Sequence, residues 1–280
     1  MMKIAAQICM FNEIDKGNLV RCLNNVSQWA DLIVIYDDAS TDDSVSVAKK
    51  YTEHIIRGEK NNQLEEQAHK QLILEKSIEL GADWLMWIDC DEILDRAGTT
   101  GGFRSFVEQA KGDAYAFHEI NLWRGERWAR IDELFEVQPG TTKDWTGSPP
   151  RSWFTRLWRV VPGIGFETKV EVHGRLFPKN ISHIQPCPIE VIHYGFSNYL
   201  QTMVKIGVDH MDKEELIRTA KLDRCWIHRE VKCKCRWVPD DVFPIENIPE
   251  VEWPEPKPLP FEDMVPYSVL IEQSMKVENR

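Results

Sequence analysis

Several things are missing from these 280 residues, and each absence narrows the reading. No apolar stretch reaches the roughly 20 residues that cross a bilayer as a helix. The opening Met1 to Met10 is too short for a secretory leader and soon runs into Asn12, Glu13 and Asp15. A soluble, cytoplasmic protein with no transmembrane segment is the expectation. Basic residues are outnumbered, with 34 Lys and Arg against 45 Asp and Glu, for a net charge of −11. Without a long basic stripe, nucleic acid is not an expected partner. There is no internal repeat and no low-complexity segment. Seven cysteines, an odd and scattered set, fit reduced thiols better than a disulfide framework. Glycine-rich phosphate loops are also absent. No G-x-G-x-x-G follows the first expected strand, and no G-x-x-x-x-G-K-S/T occurs anywhere, which disfavours dinucleotide dehydrogenases and P-loop enzymes.

What is present has a clear rhythm. A hydrophobic content of 42% supports one large domain or two small ones. Lys3 to Cys9 reads as a strand, followed by a helix with Leu19, Cys22, Leu23 and Val26 at helical spacing. Leu32 to Tyr36 is a second strand. Ser40 then stands as a helix N-cap, with Asp43 three residues on in a capping-box position. His54 to Ile56 is a short strand. Asn62 to Leu80 is a helix in which Leu64, Ala68 and Leu72 recur every fourth residue, stopped by Gly81. Trp84 to Ile88 is a buried strand. This alternation predicts an α/β fold with a mainly parallel sheet flanked by helices. Ligands of such sheets bind beyond the carboxyl ends of the strands. Asn12-Glu13, Asp37-Asp38 and Asp89-Cys90-Asp91-Glu92 all fall at those ends.

The last of these sets is the most unusual, because it places three carboxylates within four positions after a buried strand. Like charges so close repel unless something positive sits among them. In an extended chain Asp89 and Asp91 share a side and offer oxygen ligands to Mg²⁺ or Mn²⁺. The competing reading is a strand end whose acids simply face water.

The run Ile35-Tyr36-Asp37-Asp38-Ala39-Ser40-Thr41-Asp42, with Asn12-Glu13 before it and Trp87-Ile88-Asp89-Cys90-Asp91-Glu92 after it, resembles the nucleotide-binding half of family 2 glycosyltransferases, which have the GT-A fold. The likeness covers residues 3 to 95. It implies a nucleotide-sugar donor lined by Met10, Asn12, Glu13, Asp37, Asp38 and Asp89. It also implies a Mn²⁺ or Mg²⁺ ion on the Asp-x-Asp pair, Asp89 and Asp91. In this fold a C-terminal residue, often a histidine, completes the metal shell, and His193 in Ile189 to Tyr194 suits that role.

Beyond Phe103 the pattern changes. Five tryptophans between 123 and 158 interleave with arginines, a mix suited to sugar faces and phosphates or equally to packing. Residues 136 to 152 read as a loop, and Phe154 to Arg159 as a strand. Where the family has Val-His-Glu, this chain has Val172-His173-Gly174. The carboxylate base for the acceptor hydroxyl must come from elsewhere. Glu171 is favoured, with Glu167, Asp144 and Asp132 nearby and His173 able to assist. Asn198 to Asp223 reads as charged helix. Cys225, His228, Cys233 and Cys235 are a possible structural zinc set, or else ordinary reduced thiols. A Pro-rich acidic tail follows.

The expected organisation is a GT-A domain over 1–200, split into a nucleotide-binding half (1–100) and an acceptor half (101–200), with a helical and Pro-rich extension over 201–280. The expected activity is metal-dependent transfer of a sugar from a nucleoside-diphosphate sugar to a hydroxyl acceptor, with inversion. The alternatives are a nucleotidyltransferase on a related fold, or a non-catalytic protein binding nucleotide-sugar or carbohydrate.

Overall fold

The alternating apolar and amphipathic segments fold as layers, with helices on both faces of a sheet. This computed structural model describes residues 2–14, 17–61, 65–123, 128–130, 153–166, 178–181, 183–196, 235–237 and 242–243. The first half runs β1 (Ile4–Met10), α1 (Leu19–Val26), β2 (Leu32–Asp37), α2 (Ser44–Ala48), β3 (Ile55–Arg57), α3 (Glu66–Glu79) and β4 (Trp84–Trp87). β1 pairs in parallel with β2 on one side and with β4 on the other, and β3 extends the sheet beyond β2. The chain therefore reverses its progress across the sheet between β1 and β4. Such a switch point opens a crevice at the carboxyl ends of the two strands.

The second half contributes β5 (Glu92–Leu94), α4 (Phe103–Gln109), β6 (Ala114–Trp123), β7 (Trp128–Arg130), β8 (Trp153–Arg159), β9 (Ile184–Phe196) and β10 (Cys235–Trp237). β8 lies antiparallel beside β4, and β6 antiparallel beside β8. β9 runs parallel to β6 and antiparallel to β5. The expected parallel sheet thus spans β1 to β4 and continues into a mixed half.

The two largest apolar clusters form because strand side chains alternate between faces. Ile4, Ala6, Ile8 and Met10 of β1 pack with Leu19, Cys22, Leu23 and Val26 of α1, Val47 of α2, and Phe103 and Val107 of α4. Ala5 faces the other side with Val34, Leu85, Trp87, Trp158 and Phe166, covered by Ile73 and Leu74 of α3. Among the described residues, no helix is long and apolar enough to cross a membrane.

Two expectations about helices are corrected. α2 begins at Ser44, with Asp43 in the cap position. Ser40 is used instead to join loops: its hydroxyl accepts from the Asn12 N–H at 3.0 Å. The expected apolar stripe of α3 also fails. Leu72 is 42% exposed, while Gln67, His69, Lys70, Ile73, Leu74 and Ser77 are buried. The reason lies in β1, whose buried Gln7 meets α3 and donates to the Ser77 hydroxyl at 3.1 Å. A polar partner in the sheet draws the polar side of the helix inward. The segments 136–152, 198–223 and 244–280 lie outside the described residues.

Candidate functional site

Three loops at the carboxyl ends of β1, β2 and β4 build the crevice. The first two are knitted together by backbone N–H groups. Asn12 Oδ1 accepts from the N–H of Thr41 (2.8 Å) and Asp42 (3.3 Å). Glu13 N–H donates to Ser44 Oγ at 2.8 Å, and Ile14 N–H to Asp42 Oδ2 at 3.1 Å. Asp38 N–H donates to the Met10 carbonyl at 2.9 Å. Asn12 and Ala39 both have left-handed backbone, with φ of 51° and 63°. Asparagine tolerates that region; alanine there costs on the order of 1–2 kcal/mol, and strain of this kind gathers at functional loops.

These contacts assign positions to the expected nucleotide-binding residues. Met10 and Asp37 are buried, so they shape the loops from below. Asp37 Oδ1 accepts from Ser40 N–H at 3.2 Å, and its Oδ2 lies 3.4 Å from Arg57 Nε. Asp38 is buried and accepts from Asn61 Nδ2 at 3.0 Å. Beside it Tyr36 stacks on His69, with ring centroids 4.0 Å apart.

The third loop is a turn, not an extension of the strand. β4 stops at Trp87, and Glu92 N–H donates to the Asp89 carbonyl at 2.9 Å. Asp89 and Asp91 therefore do not share a side as they would in an extended chain, which corrects the expected geometry. Asp89 turns toward Trp87, whose Nε1–H donates to Oδ1 at 2.9 Å, and toward Arg156, 3.2 Å from Oδ2. Asp91 turns toward His193, with Nε2 3.3 Å from Oδ2. The turn is pinned on three sides. Asp89 N–H donates to Glu92 Oε2 at 2.9 Å, and Tyr194 N–H donates to the Asp91 carbonyl at 2.7 Å. Asn25 of α1 exchanges hydrogen bonds with the backbone of Leu94 at 2.9 and 3.0 Å, fixing β5 behind the turn.

Arg156, from β8, is the hub of the charges. It pairs with Asp89, with Glu92 and with Glu119, the last at 3.2 Å. Burial works against its charge, but Glu92, Asp89 and Glu119 outweigh burial and its pKa rises. Glu92 feels the opposite balance. Burial pushes its carboxyl well above the ordinary range; Arg156 pulls it down, while Asp89, Glu119 and Asp91 push it further up. Carboxylates crowded in this way favour a proton or a further cation among them.

Sequence reasoning passed over Glu119 and Asn121, which join this cluster from β6. Glu119 Oε1 lies 3.4 Å and Asn121 Oδ1 2.7 Å from His193 Nδ1. The signal was there: Glu119-Ile120-Asn121-Leu122 alternates polar with apolar residues. That period reads as a strand with one wet face, yet both polar residues are buried. Of the tryptophans suited to sugar faces or equally to packing, Trp158 is fully buried against Phe166, with centroids 6.0 Å apart, and is a packing residue. Glu171, His173 and Asp144 lie outside the described residues, as do Glu167, Asp132, Cys225, His228 and Cys233. Cys235 is described only through its backbone in β10.

Comparison with known proteins now bears on the chain. Residues 6–98 match the model of glycosyl transferase family 2. The match is confined to that segment of the chain. The match takes in most of β1, all of β2 to β5 and all three loops at the carboxyl ends of β1, β2 and β4. No curated protein matches it in sequence. Among solved structures it is similar to residues 1–349 of S. aureus TarS, at 13% identity over 82% of this chain and 76% of that one, with a TM-score of 0.44. The TarS structure with UDP-GlcNAc shows 12% identity over 83% and 68%, at 0.42. Glucosyl-3-phosphoglycerate synthase from Mycobacterium tuberculosis, solved with Mn²⁺ and UDP-glucose, shows 14% identity over 43% and 44%, at 0.30.

Proposed function

We propose that this protein is a metal-dependent glycosyltransferase that moves a sugar from a nucleoside-diphosphate sugar to a hydroxyl acceptor with inversion. The observation that carries this reading is the meeting of Asp91 and His193 across the turn, 3.3 Å apart, at the open edge of a family 2 domain. A carboxylate oxygen and an imidazole nitrogen at that separation suit adjacent ligands of one Mn²⁺ or Mg²⁺ ion. Among the described residues, no set of three or more His, Cys, Asp or Glu is arranged as a complete cage. Ions that serve nucleotides take one or two protein ligands and fill the rest of their shell with substrate phosphates and water.

A bound cation would stabilise, as a Lewis acid, the charge that develops on the departing diphosphate. The chain's own residues do the remaining work. The knitted Met10–Glu13 and Asp37–Asp38 loops seat the nucleoside. Asp89, 44% exposed and held by Trp87 and Arg156, faces the ribose side of the donor. The proton of the acceptor hydroxyl passes to a carboxylate of the acceptor half, Glu171 before Asp144, with His173 assisting. Residues 1–200 form the transferase domain and 201–280 an extension.

The test is thermal melting with UDP, GDP and other nucleoside diphosphates, with and without Mn²⁺. Nucleotide at about a hundred times its dissociation constant adds roughly 2.7 kcal/mol of stability. We expect the melting temperature to rise only when metal and nucleotide are both present, and Asp91→Ala to abolish the rise. An Asp91→Ala protein that keeps the full metal-dependent shift would sink the metal reading. Turnover of a nucleotide-sugar that disappears in Asp91→Ala separates an enzyme from a protein that only binds.

A further inference from the structure

We infer that Trp87 and Lys70 are positioning residues that aim the carboxylate of Asp89 from beneath the crevice; the inference rests on the proposed reading in which Asp89 faces the donor. Trp87 closes β4 and is 3% exposed. An indole Nε1–H can only donate. The 2.9 Å contact to Asp89 Oδ1 is therefore a hydrogen bond from Trp87 to Asp89. Arg156 engages the other oxygen, Oδ2, at 3.2 Å. Two donors on separate oxygens fix both the place and the plane of this carboxylate, whose side chain is still 44% exposed. Its outward lone pairs are presented to the crevice in one orientation.

Lys70 holds the indole in turn. Its Nζ lies 4.7 Å from the centroid of the Trp87 ring, within reach of a cation–π attraction. Glu66, one turn earlier on α3, supplies the counter-charge at 2.5 Å. A lysine is almost never fully buried unless it is paired, and Lys70 is 2% exposed. Burial also decides how these residues act. Neither Lys70 nor Trp87 is open to a nucleotide in the crevice, so their effect on the donor passes through Asp89. Trp84, at the start of β4, supplies the contrast. It is as buried as Trp87 and also has a cation 4.7 Å from its ring centroid, from Arg159. It stands at the end of the strand away from the crevice, so it shares the packing without the carboxylate.

The test has two arms, both on the full chain. In the first, UDP, GDP, CDP, TDP and ADP are titrated by calorimetry in the presence of Mn²⁺. Trp87→Phe keeps an aromatic ring and removes the N–H, and should weaken the nucleotide that binds by about two- to tenfold. Lys70→Met keeps the stem and removes the charge, and should weaken it by about two- to fivefold. Trp84→Phe is the control for packing alone: it should lower the melting temperature and leave the dissociation constant unchanged. Trp87→Phe binding as wild type does overturns the inference. So does an equal loss in Trp84→Phe, which would make the effect one of general packing. Lys70→Met without loss overturns the part assigned to Lys70. In the second arm, nitrogen-15 spectra record the indole groups. The resonance that Trp87→Phe removes should exchange with water faster in Asp89→Ala, and one indifferent to Asp89→Ala overturns the inference. Wild-type protein that binds none of the five nucleotides overturns the donor reading, and the positioning role with it, even where the spectra show Trp87 bonded to Asp89.

Discussion

Arg156 is only 11% exposed and sits among Asp89, Glu92 and Glu119. Replacing one partner of a buried ion cluster strands the others without a counter-charge, at a cost of about 3–5 kcal/mol. Arg156→Met should therefore lower the free energy of unfolding by that order in urea titrations near neutral pH. The sign of its pH dependence follows from Glu92, whose folded pKa is already raised and would rise further without the guanidinium. A carboxyl with a raised folded pKa loses stability as pH climbs from its unfolded value through the folded one. The deficit of Arg156→Met should then shrink toward acid pH, where the stranded carboxylates take up protons. A deficit that is constant between pH 5 and pH 8, or larger at pH 5, would contradict the charge account. At this scale the sequence exposed the acids and hid their partner. Arg156 was one of several arginines interleaved with tryptophan, and only the fold distinguishes it from Arg159. That residue stacks on Trp84, with its guanidinium carbon 4.7 Å from the ring centroid, and donates to the Ala110 carbonyl at 2.8 Å.

Helices α1 and α3 show what periodicity can and cannot decide. In α1 the apolar residues Leu19, Cys22, Leu23 and Val26 are the ones the sheet buries, as their spacing predicts. In α3 the same reasoning selects Leu72, and the structure exposes it. Paired substitutions test the difference. Leu23→Ala, at a fully buried site, should cost about 2–5 kcal/mol, and Leu72→Ala within about 0.5 kcal/mol, both read by chemical denaturation. Equal costs would mean that the face of α3 is misassigned. α1 also carries a duty that no periodicity announces: Asn25 anchors Leu94 of β5, and β5 supports the acidic turn.

For the whole molecule, the cysteines whose side chains are described, Cys9, Cys22, Cys90 and Cys187, form no disulfide with one another. Burial pushes each of their pKa values up. Burial also pushes Tyr36 up to about 12 and raises Tyr51. In the unfolded chain these thiols ionise near about 8.5 and the phenols near about 10. Above those values the unfolded state binds fewer protons than the folded one, so stability falls as pH rises. The melting temperature should decline from about pH 8.5 upward, and Ellman's reagent should label the three buried thiols, Cys22, Cys90 and Cys187, only on unfolding. A flat melting temperature from pH 8 to pH 10 would contradict this account. The net charge of −11 acts at the same scale. An anionic diphosphate approaching this protein meets repulsion unless a cation is present, which is why nucleotide alone should not raise the melting temperature.

By itself the sequence determined the parallel half of the sheet, because buried strands and their helices alternate within the first 90 or so residues and each leaves a distinct period. It also determined which loops form the crevice, since Asn12-Glu13, Asp37-Asp38 and Asp89–Glu92 close three neighbouring parallel strands, and strands of one direction end at one edge. The tertiary structure alone decided how the acids divide. Asp89 goes to Trp87 and Arg156 and Asp91 to His193, because the chain turns after Trp87 and β8 and β9 deliver their side chains from about 65 to 100 residues away. It also decided that Glu119 and Asn121 belong to the cluster. Their alternating pattern is that of a strand with one face in water; the arrival of β9 alongside β6 sets His193 beside two buried polar residues and makes them its partners.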